Sequence, residues 1–421
     1  MSITPRPVPP AVALIGLGGY GQVHLQRLLE CEAGGECRLV SAVAVPGTAA
    51  GDLAGLPEAV RRYRDFPSWL AAEQGRFDLC CLPTPIHLHA DMTLAALRAG
   101  GSVLVEKPLA SDWSEITRCL TTPPGSGRFV AVGFQDLYLP QLHALQQALL
   151  DNRHGRLRQI RILGQWPRAD AYYRRNNWAG ELQVEGRPVL DSPLNNAFAH
   201  FLMLALFLAA DRPGAAAEVT GGEAELYRTR RIASFDTAFL RLHTRTGVDI
   251  LSAVSHSGRA DELPRLQLRT DSAVLEWRVW RELRIMTDGR AAEIIPLPGM
   301  DATRRNMFSQ ICRKTRGESA YVCPPQLAAA HSAAIIDLHA SCRIADVPAD
   351  LREPAQIDQE ASVAFAGIDG IMAEVFATGR LPGEMGRNWA RPAQSVSSAH
   401  SARLASFLDG IPRSPALVSP A

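Results

Sequence analysis

Lysine is almost absent from this chain. Lys+Arg total 44 in 421 residues, and all but Lys107 and Lys314 are arginine. Lys107 stands in VLVEKPLA (103–110), between Glu106 and Pro108 at the end of an apolar run. An arginine there could supply charge and hydrogen bonds but could not lose its proton, whereas a desolvated ammonium can be brought toward neutral pKa. That property suits general acid–base work. The plain structural alternative is a strand-end lysine paired with a carboxylate.

A second chemical element is GLGGYG (16–21), with Gly16, Gly18 and Gly21 in G-x-G-x-x-G spacing and Gly19 and Tyr20 between them. The first glycine permits a tight turn, the second lets the backbone approach a pyrophosphate, and the third lets helix and strand pack closely. The helix N-terminus then faces the anion. A bare strand-to-helix turn would share the spacing, so the context decides, and here an apolar strand precedes and a helical pattern follows. A third element is WPRADAYYRRNNWAGEL (166–182), where Tyr172, Tyr173, Arg174, Asn176, Asn177 and Trp178 combine flat apolar faces with directional donors. A sugar ring needs that kit, and so does a loop that packs domains together.

The elements that must position these groups fall into two parts. Ala11–Ile15, Leu39–Val45, Asp78–Leu82, Ser102–Glu106 and Phe129–Gly133 read as buried parallel strands, with helices at Tyr20–Glu30, Leu88–Arg98 and Asp112–Leu120 between them. Such alternation predicts a doubly wound α/β sheet. Beyond residue 150, Arg156–Leu163, Glu218–Arg228, Ala238–Thr244, Asp249–Ser255 and Ala273–Val279 alternate as strands of a mostly antiparallel, open-faced sheet, with helices at Asn196–Ala209, Arg304–Arg316 and Gln326–Cys342. The expected division is a Rossmann domain over 1–135, an α+β domain over 136–350, a helical segment over 351–391 returning toward the first domain, and a loosely held tail over 392–421.

Composition narrows the function. A formal charge of +1, with no basic block, gives no reason to expect nucleic acid or anionic lipid as a partner. The eight cysteines form no CxxC pair and no ligand spacing, and His87 with His89 completes no coordination set, so no metal is expected and a reducing cytoplasm fits. The start MSITPRPVPP lacks a signal peptide's apolar core, and the run 198–210 is shorter than the roughly 20 residues a bilayer span needs. No G-x-S-x-G turn supports hydrolysis. The strand 38–46 ends Ala44–Val45–Pro46, without the carboxylate that holds the ribose of NAD. NADP is therefore slightly favoured over NAD, with Thr48 or Arg61, Arg62 and Arg64 as phosphate partners, although a solvated surface explains those arginines more readily.

With GLGGYG and His24, PTPIHLHADMTLAALRAGGSVLVEKPLA (83–110) and VGFQDLYLP (132–140), and more weakly LPGEMGRNWA (381–390), the chain resembles the Gfo/Idh/MocA family of NAD(P)-dependent oxidoreductases acting on sugars, inositols and related polyols. The resemblance implies that Lys107, its bond to Pro108 often cis, lies by the nicotinamide and the substrate hydroxyl. It also implies that Glu106 fixes the local geometry, and that Pro83, Thr84, His89 and Gln135 border the cofactor. Family members carry D-x-G-x-H on the helix entering the second domain. Here the segment is NAFAH (196–200), so His200 keeps its place for proton transfer while Asn196 replaces the aspartate and Phe198 the glycine. An amide can position a hydroxyl but cannot take its proton, so acid–base duty falls to His200 and Lys107, or Asp191 reaches in from the preceding loop. Tyr173, Arg174, Asn177, Trp178, Asn195 and Asn196 are the expected substrate contacts. The resemblance also implies a homodimer or homotetramer built through the second sheet. Two alternatives keep the cofactor: a relative that holds NAD tightly while cleaving or epimerising glycosides, and a nucleotide-binding sensor without catalysis.

Overall fold

The computed structural model describes residues 8–45 and 48–409. In its first part, β1 (Ala11–Ile15), β2 (Arg38–Val43), β3 (Arg61–Tyr63), β4 (Leu79–Leu82), β5 (Ser102–Val105) and β6 (Val130–Val132) form one sheet in the order β3-β2-β1-β4-β5-β6. Every pairing in it is parallel. Residues of β1, β4, β5 and β6 are buried throughout, as expected of strands covered by helices on both faces. The register pairs Ile15 with Val43, Leu82 with Val105, and Val105 with Val132. Gly16, Pro83, Glu106 and Gly133 therefore leave the sheet along the same carboxyl edge. In an open parallel sheet that edge is where ligands bind.

The second sheet is built from β7 (Leu157–Gln165), β10 (Val219–Arg228), β11 (Thr237–Thr244), β12 (Asp249–Ser255), β13 (Glu262–Thr270), β14 (Ala273–Arg278), β15 (Glu282–Thr287), β16 (Glu293–Pro296) and β17 (Ile344–Asp346). Its order is β16-β15-β14-β13-β7-β12-β11-β10-β17, antiparallel except where β7 meets β12 and β10 meets β17. A two-residue hairpin of β8 (Gln183–Val184) and β9 (Arg187–Pro188) stands apart. Alternation decides the faces: Ile160, Ile162, Leu266 and Leu268 are fully buried on the inner side, where the apolar helix Ala199–Leu208 packs. Nearly every residue of that helix is buried, so it is apolar all round.

Two expectations need correction. Residues 351–378 are only partly helical: β18 (Arg352–Ile357) and β19 (Glu360–Phe365) form a hairpin, and the helix covers Ile368–Thr378 alone. Nor does this segment return to the first domain. Ile368, Met372, Val375 and Phe376 pack on Leu163, Tyr227, Phe239, Leu251 and Ala253, the outward residues of the second sheet. Arg161 reaches from β7 to donate to the carbonyls of Phe376 (2.7 Å) and Ala377 (2.6 Å), satisfying the end of that helix. Part of the face expected to be open for subunit pairing is thus covered by the chain itself, because Leu163, Phe239 and Leu251 need an apolar partner and 368–376 supplies one. The return to the first domain is made instead by the helices Met300–Thr315 and Pro325–Ser341, which pack on Tyr20–Ala33 and Trp113–Thr121.

The tail is also better held than its composition suggests. β20 (Gln394–Val396) pairs antiparallel with β10, and the helix Ala399–Asp409 is fastened by Asp337, which accepts from the backbone N–H groups of His400 (2.9 Å) and Ser401 (3.0 Å). Residues 410–421 and Pro46 lie outside the described residues.

Candidate active site

The glycine turn has the shape its spacing demands. Gly16 and Gly19 adopt φ of 101° and 55°, which favour glycine. A Cβ on Gly21 would lie 2.3 Å from the Gly16 carbonyl oxygen, so only glycine lets the helix start this close to the strand. On Gly18 it would meet only Asp52 Oδ2, at 3.9 Å, and on Gly19 nothing at all. The bare side of the turn therefore opens on unfilled space, the cradle a pyrophosphate would enter. Pro83 and Thr84 border Gly16 from the end of β4, and the buried Thr84 hydroxyl has no partner. A nicotinamide dinucleotide fits this donor set.

At the end of β5 the peptide between Lys107 and Pro108 is cis. Glu106 is buried, and its Oε1 lies 2.8 Å from His24 Nε2 on the first helix. Burial works against the Glu106 charge, but the His24 bond and the neighbouring ammonium outweigh it and hold the carboxyl below its usual range. Gly133 makes room for it, since a Cβ there would come within 2.9 Å of both carboxylate oxygens. His89 has a bracing position: its ring spans the carbonyls of Pro108 (2.7 Å) and Thr84 (2.8 Å), tying together the two loops that flank the cleft. Gln135 lies 3.5 Å from the Tyr20 hydroxyl and accepts from Arg304 Nε at 3.3 Å.

Lys107 reaches across to the second domain. Its Nζ donates to the Asn196 main-chain carbonyl at 2.7 Å and to Asn196 Oδ1 at 3.3 Å. The amide's other end, Nδ2, donates to Asp191 Oδ1 (2.9 Å) and to the Tyr172 hydroxyl (3.3 Å). Asp191 Oδ2 accepts from the Gly180 N–H at 2.7 Å. An ammonium on one side and a carboxyl on the other fix which way the amide points. This also explains the asparagine: an aspartate at 196 would face a second carboxylate at hydrogen-bond distance. Burial pulls the Lys107 ammonium below its usual range, against the charges of Glu106 and Asp191. Burial also pushes the Asp191 carboxyl up, although the Gly180 and Asn196 bonds oppose it.

His200 follows one turn later and is largely buried, edge-on to Phe134. Burial, then the charges of Lys107 and Arg304, hold its imidazole well below the usual range, so it is neutral at pH 7. The other expected contacts divide. Tyr172, Tyr173, Asp191, Asn196 and His256 line a small, closely packed cleft. Arg174 and Asn177 are exposed. Trp178 packs on Ile86, Val184 and Val189, a seam between the parts of the molecule. Asn195, expected to touch substrate, is corrected: it is buried and its amide donates to Ser111 Oγ and to the carbonyls of Val189 and Leu190, because the sharp turn at Leu190 (φ 52°) needs an internal brace. Arg61, a candidate for a cofactor phosphate, is bound instead to the buried Glu73, and Arg62 donates to the Leu56 carbonyl. The larger cavity of about 580 Å³, between residues 211–219 and Leu327, Ala330, Leu404 and Leu408, holds none of these groups.

Two charged residues beside the cleft were not anticipated from sequence. Asp52 brings a carboxylate to the glycine turn from a short helix well past β2. Asp136, next to Gln135, is a buried carboxylate in an apolar and aromatic run, a signal that was visible in VGFQDLYLP.

Comparison with known proteins bears on this geometry. Residues 11–134 match the model of an oxidoreductase family described as having an NAD-binding Rossmann fold. An inositol 2-dehydrogenase of Pseudomonas fluorescens is 27% identical over 277 residues, 63% of this chain and 80% of that enzyme. The inositol 2-dehydrogenase of Rhizobium meliloti is 28% identical over 156 residues, 37% of this chain, and the match spans 45% of that enzyme's length. Among solved structures, a 3-ketoreductase of Actinomadura kijaniata bound to NADP and TDP-benzene aligns with a TM-score of 0.65 at 18% identity, over 81% of this chain and all of that one. The WlbA dehydrogenase of Bordetella pertussis, bound to NADH and UDP-GlcNAcA, aligns with a TM-score of 0.63 at 19% identity, over 78% of this chain and 94% of its own. These two likenesses concern the fold.

Proposed function

We propose that this chain, whose residues 11–134 match the NAD-binding Rossmann model of the Gfo/Idh/MocA oxidoreductase family, is an NAD(P)-dependent dehydrogenase or reductase of a sugar, inositol or related polyol. The observation that carries the reading is the Lys107 ammonium at the carboxyl edge of the first sheet, on the same edge as the glycine turn and 2.7 Å from the second domain at Asn196. The inositol dehydrogenases among its relatives support the substrate class.

A bound nicotinamide would supply or accept the hydride at the carbinol carbon. The turn 16–21 would hold the pyrophosphate, with Pro83, Thr84, Glu106 and Gln135 at the rest of the cofactor. The protein's own residues handle the proton and the orientation. Lys107 donates to the reacting oxygen, and burial, which lowers its pKa, eases release of its proton. His200, neutral, is the second proton carrier. Asn196 cannot exchange a proton, but it bridges Lys107 to Asp191, so the carboxyl missing at 196 stands one hydrogen bond further away. Tyr172 closes the cleft over this row.

Cofactor choice turns on Asp52. A carboxylate at the glycine turn suits the ribose hydroxyls of NAD and repels the 2′-phosphate of NADP, against the preference drawn from the end of β2. Thermal shift with each nucleotide tests both points, since a ligand bound to the native state raises apparent stability by mass action. A rise with either dinucleotide, together with a change of nicotinamide absorbance on a panel of polyols and keto-sugars, is expected. No rise with either would remove the reading. Asp52→Asn is expected to raise NADP affinity relative to NAD.

A further inference from the structure

Three buried polar groups face one another beside the proposed site without a closed hydrogen bond among them. Asp136 is 1% exposed, and neither carboxyl oxygen has a partner. His200 Nδ1, also buried and unpartnered, lies 3.7 Å from Asp136 Oδ2. The Trp280 indole N–H is near enough to influence the same carboxyl and likewise has no hydrogen-bond partner. Trp280 sits in the turn between β14 and β15 with φ of 58°, a conformation costly for a bulky residue that recurs where structure is held for function. An ionised carboxylate in this position lacks the donors that burial requires, and a neutral imidazole lacks a partner for Nδ1. One proton between them satisfies both.

We propose that Asp136 and His200 share a proton, so that Asp136 acts as a positioning residue that sets the tautomer of His200. With the proton on Asp136, the carboxyl O–H donates to Nδ1 and the imidazole presents Nε2–H outward, a general acid. With Asp136 ionised, Nδ1–H donates to the carboxylate and Nε2 presents its lone pair, a general base. The same ring then serves reduction in one state and oxidation in the other, with one proton released as the pair switches. This role at the reacting hydroxyl rests on the reading of His200 given above; the pairing itself does not.

The surroundings favour a switch near neutral pH. Burial pushes the Asp136 carboxyl up to about 7, with the Trp280 donor and the charge of Arg304 working the other way. The groups facing the pair are Tyr20 from the first helix, its hydroxyl held neutral by burial, Lys107 from the end of β5, Arg304 from the helix Met300–Thr315, His331 from Pro325–Ser341 and Trp280 from the second sheet. His331 gives Nε2 to the Leu194 carbonyl at 2.9 Å and is held neutral, its pKa pulled down by burial to about 4, so it does not titrate in this window.

The test is the tautomer of His200 in nucleotide-free protein, read by nitrogen NMR on histidine-labelled chain, with His200→Asn to assign its signals. The wild type is expected to pass from Nε2–H to Nδ1–H between about pH 6 and about pH 8. Asp136→Asn is expected to hold one tautomer throughout, and Trp280→Phe, which removes the nearby indole N–H that favours the carboxylate, to move the midpoint to higher pH. A wild type that keeps one tautomer across the range overturns the proposal, as does an unchanged switch in Asp136→Asn. Should the switch occur while no dinucleotide raises the melting temperature, the proposed activity fails and the proton pair stands.

Discussion

The Nζ of Lys107 and the main-chain carbonyl of Asn196 lie 2.7 Å apart, joining the end of β5 to the turn that opens the helix Ala199–Leu208. A backbone acceptor cannot rotate away, so the ammonium is positioned by the fold of the second domain rather than by a mobile side chain. With a second proton on Asn196 Oδ1, its one remaining proton is free to meet a substrate oxygen.

Replacing Lys107 tests its proton. Lys107→Arg keeps the charge but cannot release it, so the variant is expected to show an undiminished nucleotide-induced rise in melting temperature and a turnover lower by roughly a hundredfold or more. Normal turnover in that variant would remove Lys107 from the proposed chemistry.

Asn196→Asp tests the amide bridge. It sets a second carboxyl against Asp191 at the present 2.9 Å contact, and two carboxylates so close cannot both ionise. Turnover is expected to fall most steeply on the alkaline side. The exchanged pair, Asn196→Asp with Asp191→Asn, restores one amide and one carboxyl and is expected to recover much of it. If the double variant is no better than the single, the two positions do not act as a unit.

The glycine turn separates binding from folding. Gly18→Ala adds a methyl group that meets only Asp52 Oδ2, at an ordinary contact distance of 3.9 Å, so the apo melting temperature is expected to hold while the nucleotide-induced rise disappears. Gly21→Ala drives a methyl group into the Gly16 carbonyl and is expected to lower the apo melting temperature as well. Equal losses of apo stability would mean that the space above Gly18 is not a ligand cradle.

Asp136 makes a pH prediction with a definite sign. Its folded pKa of about 7 lies above the unfolded value near 3.9, so the native state binds more protons. Its stabilising contribution is full below the unfolded value and is lost as pH rises through 7, to an extent on the order of 4 kcal/mol. Wild-type protein is therefore expected to lose melting temperature relative to Asp136→Asn between about pH 4 and about pH 7, the two curves running parallel above that. Curves parallel throughout would show that the carboxyl is already ionised in the native state.

Subunit pairing through the outer face of β7, β10, β11 and β12 is not expected, because the helix Ile368–Thr378 covers it. Further along, Glu276, Arg278, Glu282 and Arg284 fill the outer side of β14 and β15 with ion pairs. Sedimentation is expected to leave that face out of any assembly, and Val375→Asp to destabilise the fold without changing the mass of the particle. A drop from dimer to monomer in that variant would reverse the assignment.

Short-range signals reached far into the first domain. Apolar runs bounded by glycine or proline marked β1, β4, β5 and β6, since fully covered strands leave a continuous apolar trace, and the spacing of Gly16, Gly18 and Gly21 prescribed the turn between strand and helix. The edge strand β3 escaped notice because Arg61 and Arg62 read as surface, and only the buried Glu73 gives Arg61 its partner. In the second domain, Leu351–Thr378 has enough apolar residues for a helix, yet Gly367 breaks it from a hairpin whose pairing is tertiary.

The site divides in the same way. Residue type and local spacing determined that a titratable lysine follows a buried strand, that a glycine turn precedes a helix, and that a histidine stands four residues after an asparagine. Whether Asn196 bridges Lys107 to Asp191, whether Asn195 points inward to Ser111, and whether Asp136 meets His200 were decided by the packing of two sheets and the helices between them. The reason is distance: Lys107 and Asn196 are 89 residues apart in sequence, as are no two groups whose contact a local pattern can encode. Burial then changed their chemistry, because a proton's affinity depends on the solvent and charges around it, and those are assembled only when the chain has folded.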